Sequence, residues 1–309
     1  MKNKICRILM LLLLLAGFST GYTQETERKS IRLFLIGNSF SQNATRYLPQ
    51  LASDGGFTLS IGRAELGGCS LQRHWQLVEA AEAGDPKGKA YNGKSLKELL
   101  GSGTWDVVTL QQASILSGDS NTYKPYARKL VEYIHHLQPN ATIVLHQTWP
   151  YRIDAPSFSQ IPGGGHAPSA EAMWQQSRAA YHTIAAALQL ALIPVGDAFF
   201  AVQQKGSTAF KKDSAFKPAQ AVFPELPDQA HSLHVGYFYN KQQQLTLDTH
   251  HASEAGCYLA GLVWYKFLFS ASPVQIVFKP EAVDAGFAKA LRTIADRIAS
   301  GTDPTQLRQ

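Results

Sequence analysis

The chain has 309 residues, of which 45% are hydrophobic, so it is long enough for one large domain or two small ones with a real core. It carries 29 basic and 23 acidic residues, a formal charge of +6, and three of the basic residues are Lys2, Lys4 and Arg7. Without those three the charge is +3. Such a small excess gives no reason to expect a nucleic-acid partner.

The first residues have the pattern of an export signal. The basic residues precede an apolar run at 8–16, and small residues follow it. We therefore predict a signal peptide over 1–24, which leaves 25–309 as one domain of a secreted or periplasmic protein. The apolar run is too short to span a bilayer comfortably, so we expect no stable membrane insertion after cleavage. Cys69 and Cys257 remain in the mature chain, and they are either bridged or two buried free thiols.

Further along the chain, strand patterns alternate with helix patterns. The first strand begins at Ile31, and four more are predicted at 57–63, 105–110, 141–145 and 191–195. Helices are predicted at 42–51, 71–83, 122–137, 170–190, 253–270 and 282–300. This alternation predicts a parallel sheet with helices on both faces. Residues 150–168 read as a long loop, and 205–244 have no clear assignment.

A serine stands where the first strand gives way to a helix. The apolar run that starts at Ile31 stops at Gly37, and Ser39 follows in the turn. In α/β folds, ligands bind beyond the carboxyl ends of parallel strands, and a helix start offers free N–H groups to a negative charge. Ser39 is therefore either a nucleophile or only the cap of the following helix.

An acid and a base lie close together near the C-terminus. Asp248 precedes His251 by three residues, just ahead of a predicted helix. A carboxylate so placed can orient an imidazole, which then takes a proton from a serine. The alternatives are a pair of surface histidines, or an Asp-x-His arrangement in which His250 is the base.

Together, these two stretches resemble the SGNH/GDSL hydrolases. The turn at Ser39 matches their Gly-Asp-Ser block with Asn38 in place of Asp, and Asp248 and His251 match their last block. The resemblance extends over roughly 30–270. It implies a flavodoxin-like three-layer α/β/α sandwich with a central parallel sheet of about five strands, and a Ser39–His251–Asp248 triad.

The resemblance also implies an oxyanion hole. The family uses a glycine N–H after the second strand, where Gly67 or Gly68 stands, and we favour Gly68. It then uses an asparagine amide after the third strand, where this chain has Gln111 and Gln112. We expect the Ser39 and Gly68 N–H groups and the Gln111 amide to be the donors, with Gln112 as the alternative to Gln111.

Two aromatic residues are candidates for substrate binding, although Trp149 could equally be a residue of the core. Trp149 and Tyr151 stand beside the end of the fourth strand, next to the polar, glycine-rich loop 150–168. Aromatic rings on a wet edge suit sugar rings. Secreted SGNH members of this type resemble carbohydrate esterases that remove acetyl groups, and this resemblance implies hydrolysis of short acyl esters, acetyl above all, on a glycan or small molecule. The alternatives are a lipase or thioesterase, or a carbohydrate-binding protein that has lost activity.

Two patterns point to other chemistries and are given little weight. Residues 88–95 fit the phosphate-binding pattern G-x-x-x-x-G-K-S, but a polar turn precedes them instead of a buried strand. Asp248, His250 and His251 are possible zinc ligands together with a distant histidine, His146 or His166, yet the chain has no H-E-x-x-H motif. The proposed ester hydrolysis needs no metal or organic cofactor.

Overall fold

The structure is a computed structural model that describes residues 30–204 and 206–301. The predicted signal peptide lies outside the described residues. Among those described, no helix combines the length and the apolar character needed to cross a membrane.

A five-stranded parallel sheet forms the centre of the molecule, in the order β2-β1-β3-β4-β5. Its strands are β1 (Ser30–Gly37), β2 (Thr58–Glu65), β3 (Val107–Leu110), β4 (Thr142–His146) and β5 (Ala191–Ile193). This is the flavodoxin-like order, in which the direction of winding reverses between β1 and β3. Ligands in such folds bind beyond the carboxyl ends of the strands at that switch point, so the turn after β1 is the expected site.

Helices cover both faces of this sheet. They are α1 (Ser39–Ala44), α2 (Leu48–Asp54), α3 (Leu71–Glu82), α4 (Leu96–Leu100), α5 (Tyr126–Leu137), α6 (Ala170–Leu188), α7 (Val195–Gln204), α8 (Glu254–Phe269) and α9 (Ala285–Ala299). The side chains of β1 alternate between two cores. Leu33 and Leu35 pack with α7, α8 and α9, whereas Phe34 and Ile36 pack with α3, α5 and α6. The predicted three-layer α/β/α sandwich with five parallel strands is confirmed.

The helix predicted at 42–51 is two helices. α1 ends at Ala44, and α2 starts at Leu48 with Pro49 in its first turn. In one continuous helix the ring of Pro49 would clash with the carbonyl of Thr45, so the chain breaks there. A second difference lies at β5, which ends at Ile193 because α7 begins two residues later.

The unassigned region contains part of a hairpin that the sequence analysis missed. β6 (His234–Tyr239) pairs antiparallel with β7 (Leu245–Ala252) in a separate two-stranded sheet, with an irregularity between His234 and Gly236. Asp248 and His251 therefore lie on a strand that the sequence analysis did not predict, just ahead of the predicted helix. The hairpin runs directly into α8.

Two expectations about loops agree with the structure. Residues 150–168 have no helix or strand, apart from one bridge between Gln160 and His166. The phosphate-binding pattern does not follow a strand. Its Tyr91 and Lys94 form an isolated bridge, and Ser95 caps α4.

The two cysteines are buried free thiols. Cys69 lies in the loop before α3, and Cys257 lies in the first turn of α8. Burial raises the pKa of each thiol to about 12, so neither is a reactive thiolate at neutral pH.

Candidate active site

The nucleophile candidate is the first residue of α1, directly beyond β1. Asn38 caps this helix in an extended conformation, and its Oδ1 accepts the N–H of Phe40 at 3.0 Å. A side chain at Gly37 would place Cβ 2.5 Å from the hydroxyl of Ser41, so only glycine fits there. Strand, glycine and cap together place Ser39 at the carboxyl edge of the sheet, as its position in the sequence predicted.

The hairpin brings the acid and the base to this serine. Oδ2 of Asp248 accepts the Nδ1–H of His251 at 2.7 Å, and Nε2 of His251 lies 2.9 Å from Oγ of Ser39. Because Nδ1 donates to a carboxylate, the neutral ring has its lone pair on Nε2, where it accepts the serine hydroxyl. The three residues form one hydrogen-bonded line although more than 200 positions separate Ser39 from His251.

The hydrogen bonds around Asp248 keep its side chain ionised. Burial acts to raise the pKa of Asp248. The His251 ring and the backbone N–H groups of His250 and His251 donate to the carboxylate and outweigh burial, so the pKa lies well below its usual range. An ionised carboxylate fixes the tautomer of His251 and stabilises its protonated form.

His250 is in a different position. Its Nδ1 lies 3.3 Å from Oδ1 of Asp248, and its side chain is 44% exposed. Burial lowers its pKa, an effect that Asp248 opposes and His251 strengthens. It is the Nε2 of His251 that contacts Ser39, so the geometry favours His251 over His250 as the base.

One hydrogen bond ties the helix of the serine to the strand of the histidine. Asn43 follows Ser39 by about one helical turn, and its Oδ1 accepts the N–H of Ala252 at 3.1 Å. Ala252 comes directly after His251. Asn43 therefore fixes the position of the base relative to the nucleophile.

The glycine predicted at the oxyanion lies in a tight turn beside Asn38. The N–H of Cys69 donates to the carbonyl of Leu66 at 3.1 Å, which closes the turn, and Gly68 within it has a φ of 62°. A Cβ at this position would meet nothing within 4 Å, so lack of space does not explain the glycine. The left-handed backbone conformation, which glycine adopts readily, does explain it. In the described part of the chain, the N–H groups of Ser39 and Gly68 have no hydrogen-bond partner. Both are thus free to bind an oxygen of a ligand.

The side chains of Gln111 and Gln112 form hydrogen bonds within the protein and do not face the predicted oxyanion site. Gln111 is 1% exposed; its Nε2 donates to Oδ1 of Asn38 at 2.7 Å, and its Oε1 faces Nδ1 of His146 at 3.1 Å. Gln112 accepts the N–H of Leu71 and donates to Thr122. The expected role of Gln111 as an oxyanion donor is therefore corrected: its amide is buried behind Asn38 and supports that residue.

Of the two candidate aromatics, Trp149 belongs to the core. It is fully buried between Phe40 and Phe199, with ring centroids 4.3 and 4.7 Å away, and its Nε1–H donates to the carbonyl of His250. A ring with no exposed face cannot stack on a sugar, so the prediction that Trp149 binds substrate is wrong.

Tyr151 keeps part of its surface exposed beside the triad. Its ring centroid lies 5.6 Å from that of His250, and its hydroxyl is 3.0 Å from Oγ of Ser114. Burial raises the pKa of Tyr151, so the hydroxyl stays protonated at neutral pH and can donate a hydrogen bond. A role in substrate binding stays a prediction for this residue.

Two buried histidines support the site, a role that the sequence analysis gave to neither. His146 ends β4, and burial lowers its pKa to about 3. Nε2 of His74 donates to the carbonyl of Gly37 at 3.2 Å, Tyr91 donates to its Nδ1, and burial lowers its pKa to about 4. Both imidazoles are neutral supports of the turn before Ser39. For His146 the available signal was its position at the end of a buried strand on the same sheet edge.

The comparisons with known proteins find a solved structure that is similar over most of the chain. A family model, a domain of unknown function (DUF4886), matches residues 32–160, and nothing among curated proteins matches the chain. The crystal structure of a DUF4886 family protein from Bacteroides uniformis is similar at 24% identity and a TM-score of 0.66, covering 90% of this chain and 99% of that one.

Two more distant structures are named as hydrolases. An acetyl xylan esterase has 13% identity and a TM-score of 0.47, covering 77% of this chain and all of its own. A possible lipase from Chitinophaga pinensis has 13% identity and a TM-score of 0.41, covering 78% of this chain and 98% of its own. Likeness at this level does not identify a substrate.

The strand order, the serine after β1 and the Asp-x-x-His before α8 decide the fold type. The chain has an SGNH/GDSL-like hydrolase fold. Within this fold, Asp248, His250 and His251 also offer three ligand atoms within 4.8 Å of one another, a spacing that suits a metal ion. Nδ1 of both histidines, however, already faces a carboxylate oxygen of Asp248. Asp248 and His251 belong to the triad, and His250 faces the same carboxylate.

Proposed function

We propose that this protein is a secreted or periplasmic serine esterase that removes short acyl groups, acetyl above all, from a carbohydrate. One observation supports the chemistry most: Oγ of Ser39, the ring of His251 and the carboxylate of Asp248 form a continuous hydrogen-bonded line, with distances of 2.9 and 2.7 Å. A nucleophile, a base and an orienting acid in that order are the parts that acyl transfer to serine requires.

The first half of the reaction acylates the serine. Oγ of Ser39 attacks the ester carbonyl carbon while Nε2 of His251 takes the hydroxyl proton, and Asp248 stabilises the imidazolium. The carbonyl oxygen becomes an oxyanion facing the N–H groups of Ser39 and Gly68. The bond to the alcohol then breaks, and the alcohol leaves with the proton from Nε2 of His251.

The second half repeats these steps with water. His251 takes a proton from a water molecule, whose oxygen attacks the acyl carbon bonded to Ser39. The tetrahedral intermediate expels Oγ of Ser39, which regains a proton from His251, and the free carboxylic acid departs. No atom outside the chain, the ester and water takes part.

Two features favour a short acyl group on a polar alcohol. Phe40 and Trp149, two large apolar side chains close to the triad, are 3% and 0% exposed, so they belong to the core and offer no open surface to a long acyl chain. The groups around His250 are instead polar, such as the paired hydroxyls of Tyr151 and Ser114. The predicted signal peptide adds the expectation that the enzyme meets polymers outside the cytoplasm.

The proposal is tested with nitrophenyl esters of two, four and eight carbons and with an acetylated oligosaccharide. We expect hydrolysis that falls steeply as the acyl chain lengthens, and loss of nearly all of it in Ser39→Ala. Ser53→Ala, at an exposed serine on α2, is the matched control and should keep wild-type rates.

Other outcomes would favour the alternatives. A preference for the eight-carbon ester would indicate a lipase or thioesterase. Hydrolysis that a chelator abolishes and zinc restores would assign Asp248, His250 and His251 to a metal. Binding of the oligosaccharide without hydrolysis of any ester would indicate a binding protein.

A further inference from the structure

Three buried polar side chains connect the ends of β1, β3 and β4 behind the nucleophile. Asn38 follows β1, Gln111 follows β3 and His146 ends β4, and none of them is more than 2% exposed. Gln111 stands between the other two and bonds to each. None of the three contacts the reacting atoms, so any part they play in the reaction is indirect.

The direction of each hydrogen bond in this series is fixed. The N–H of Phe40 donates to the Asn38 side chain, so the atom that faces it is the amide oxygen. Gln111 donates to that same oxygen through Nε2. Its own oxygen therefore faces His146, which must donate from Nδ1, because burial keeps that imidazole neutral with a single N–H.

The nitrogen of the Asn38 side-chain amide binds a second backbone segment. Its Nδ2 donates to the carbonyl of Cys69 at 3.0 Å. Phe40 directly follows Ser39, and Cys69 directly follows Gly68. One side-chain amide thus spans the two backbone segments that carry the N–H groups free to bind an oxyanion.

We propose that Asn38, oriented by Gln111 and His146, is a positioning residue that sets the spacing of the Ser39 and Gly68 N–H groups. This inference rests on the proposed esterase function. It also gives a reason for asparagine where the family has aspartate. A carboxylate would turn its second oxygen toward the carbonyl oxygen of Cys69, and the two would repel.

The decisive variant is Asn38→Asp, which has nearly the same shape. It keeps the oxygen that accepts from Phe40 and Gln111 and loses only the donor to Cys69. We expect kcat for a nitrophenyl acetate to fall roughly 10- to 100-fold while KM changes less than about 3-fold, because oxyanion contacts act mainly in the transition state. Asn140→Asp, exposed at the opposite end of the sheet, is the matched control for the added charge.

A second measurement is independent of activity. In Asn38→Asp the buried carboxyl faces the Cys69 carbonyl, so its folded-state pKa should rise above its unfolded value of about 3.9. The penalty is then small near pH 4 and grows as pH rises through the folded-state pKa. The unfolding temperature of the variant should therefore lie well below that of wild type at pH 8, and the gap should narrow toward pH 5. His74, Glu65 and Cys69 are present in both proteins, so the difference reports the new carboxyl together with the effect of its charge on these neighbours.

The outcomes separate the two proposals. If wild type hydrolyses no ester but the stability gap closes at low pH, the esterase function fails and the positioning of the two segments stands. If wild type is active and Asn38→Asp keeps its kcat, the positioning role is overturned. An unfolding temperature equal to that of wild type at pH 8 would also overturn it.

If Asn38→Asp does not fold, Gln111→Met takes its place. This variant removes one of the two donors to Asn38 and leaves the bond to Cys69. We expect a smaller fall in kcat, about 3- to 10-fold, with KM unchanged. An unchanged kcat would count against the proposal.

Discussion

The two halves of the candidate site are held in different ways. The nucleophile stands on the central parallel sheet, at the end of a strand that is buried on both faces, and it is backed by Asn38, Gln111 and His146. The acid and base stand on a two-stranded ribbon outside that sheet, where the side chains of Asp248 and His251 are 19% and 34% exposed. The core thus fixes one half, whereas a few hydrogen bonds place the other.

Three of those hydrogen bonds show the pattern. Asn43 accepts from Ala252, Trp149 donates to the carbonyl of His250, and Nε2 of His234 donates to the carbonyl of Pro150 at 2.9 Å. Because each joins the ribbon to the sheet domain, its loss should change the approach of His251 to Ser39 more than global stability. Changes behind the nucleophile should instead reduce stability as well as rate.

The largest expected effect is on the acid–base half. His251→Ala should lower kcat about 10⁴-fold or more, because the triad acts as one unit. His250→Ala should lose far less, since this residue bonds to Asp248 without contacting Ser39. Rates of nitrophenyl acetate hydrolysis by the two variants decide between them. An inactive His250→Ala beside an active His251→Ala would reverse the assignment of the base.

The next largest effect is on the pH dependence of stability, and it comes from His74, a buried neutral histidine in the nucleophile half. Burial lowers the pKa of His74 to about 4. As the pH falls below about 6.5, His74 is therefore protonated in the unfolded chain but stays neutral in the folded chain. The free energy of unfolding should therefore fall as pH drops from about 6.5 to 4, by roughly 3 kcal/mol from this residue.

Urea unfolding at several pH values measures this dependence. His74→Gln retains a donor for the Gly37 carbonyl and should have a visibly flatter pH profile than wild type. His135→Gln, exposed on α5, is the control and should follow wild type. Equal profiles for wild type and His74→Gln would mean that His74 is not a source of the acid sensitivity.

A smaller effect is expected where the halves meet. Asn43→Ala removes the acceptor for the N–H of Ala252, and we expect kcat to fall about 10-fold with little change in unfolding temperature. Asn43→Asp keeps an acceptor oxygen and should recover most of the rate. If both variants match wild type in a nitrophenyl acetate assay, the ribbon is placed by its other contacts.

The same division explains which predictions from sequence succeeded. Alternating strand and helix patterns identified the parallel sheet, because β1, β3 and β4 are buried and apolar. Short motifs pointed to Ser39, Asp248 and His251, which the structure joins in one hydrogen-bonded line, because one turn and one strand fix their local spacing. Their catalytic role stays a prediction. The ribbon was not predicted because its strands are only half-buried and show no regular apolar alternation: Gly236 interrupts β6, and β7 carries Asp248 and two histidines.

The direction of individual side chains was beyond the reach of sequence. Gln111 and Trp149 do follow β3 and β4 at the correct edge of the sheet, as predicted. Their partners, however, come from distant segments: Asn38 for Gln111, and Phe40 and Phe199 for Trp149. Those contacts exist only after the layers have packed, and no local pattern encodes them.

The smallest effect should be on substrate binding, and it tests Tyr151, whose ring keeps part of its surface exposed. Tyr151→Ala should raise KM for an acetylated oligosaccharide about 3- to 10-fold, the size of one lost aromatic contact, and leave KM for nitrophenyl acetate nearly unchanged. Trp149→Phe is the matched control, because it changes a buried ring and breaks only the bond to the His250 carbonyl. We expect Trp149→Phe to lower kcat slightly, and by the same factor, for both substrates.

If Trp149→Phe instead raises KM for the oligosaccharide alone, Trp149 binds the sugar. Equal effects of Tyr151→Ala on both substrates would show that Tyr151 supports His250 and does not bind sugar.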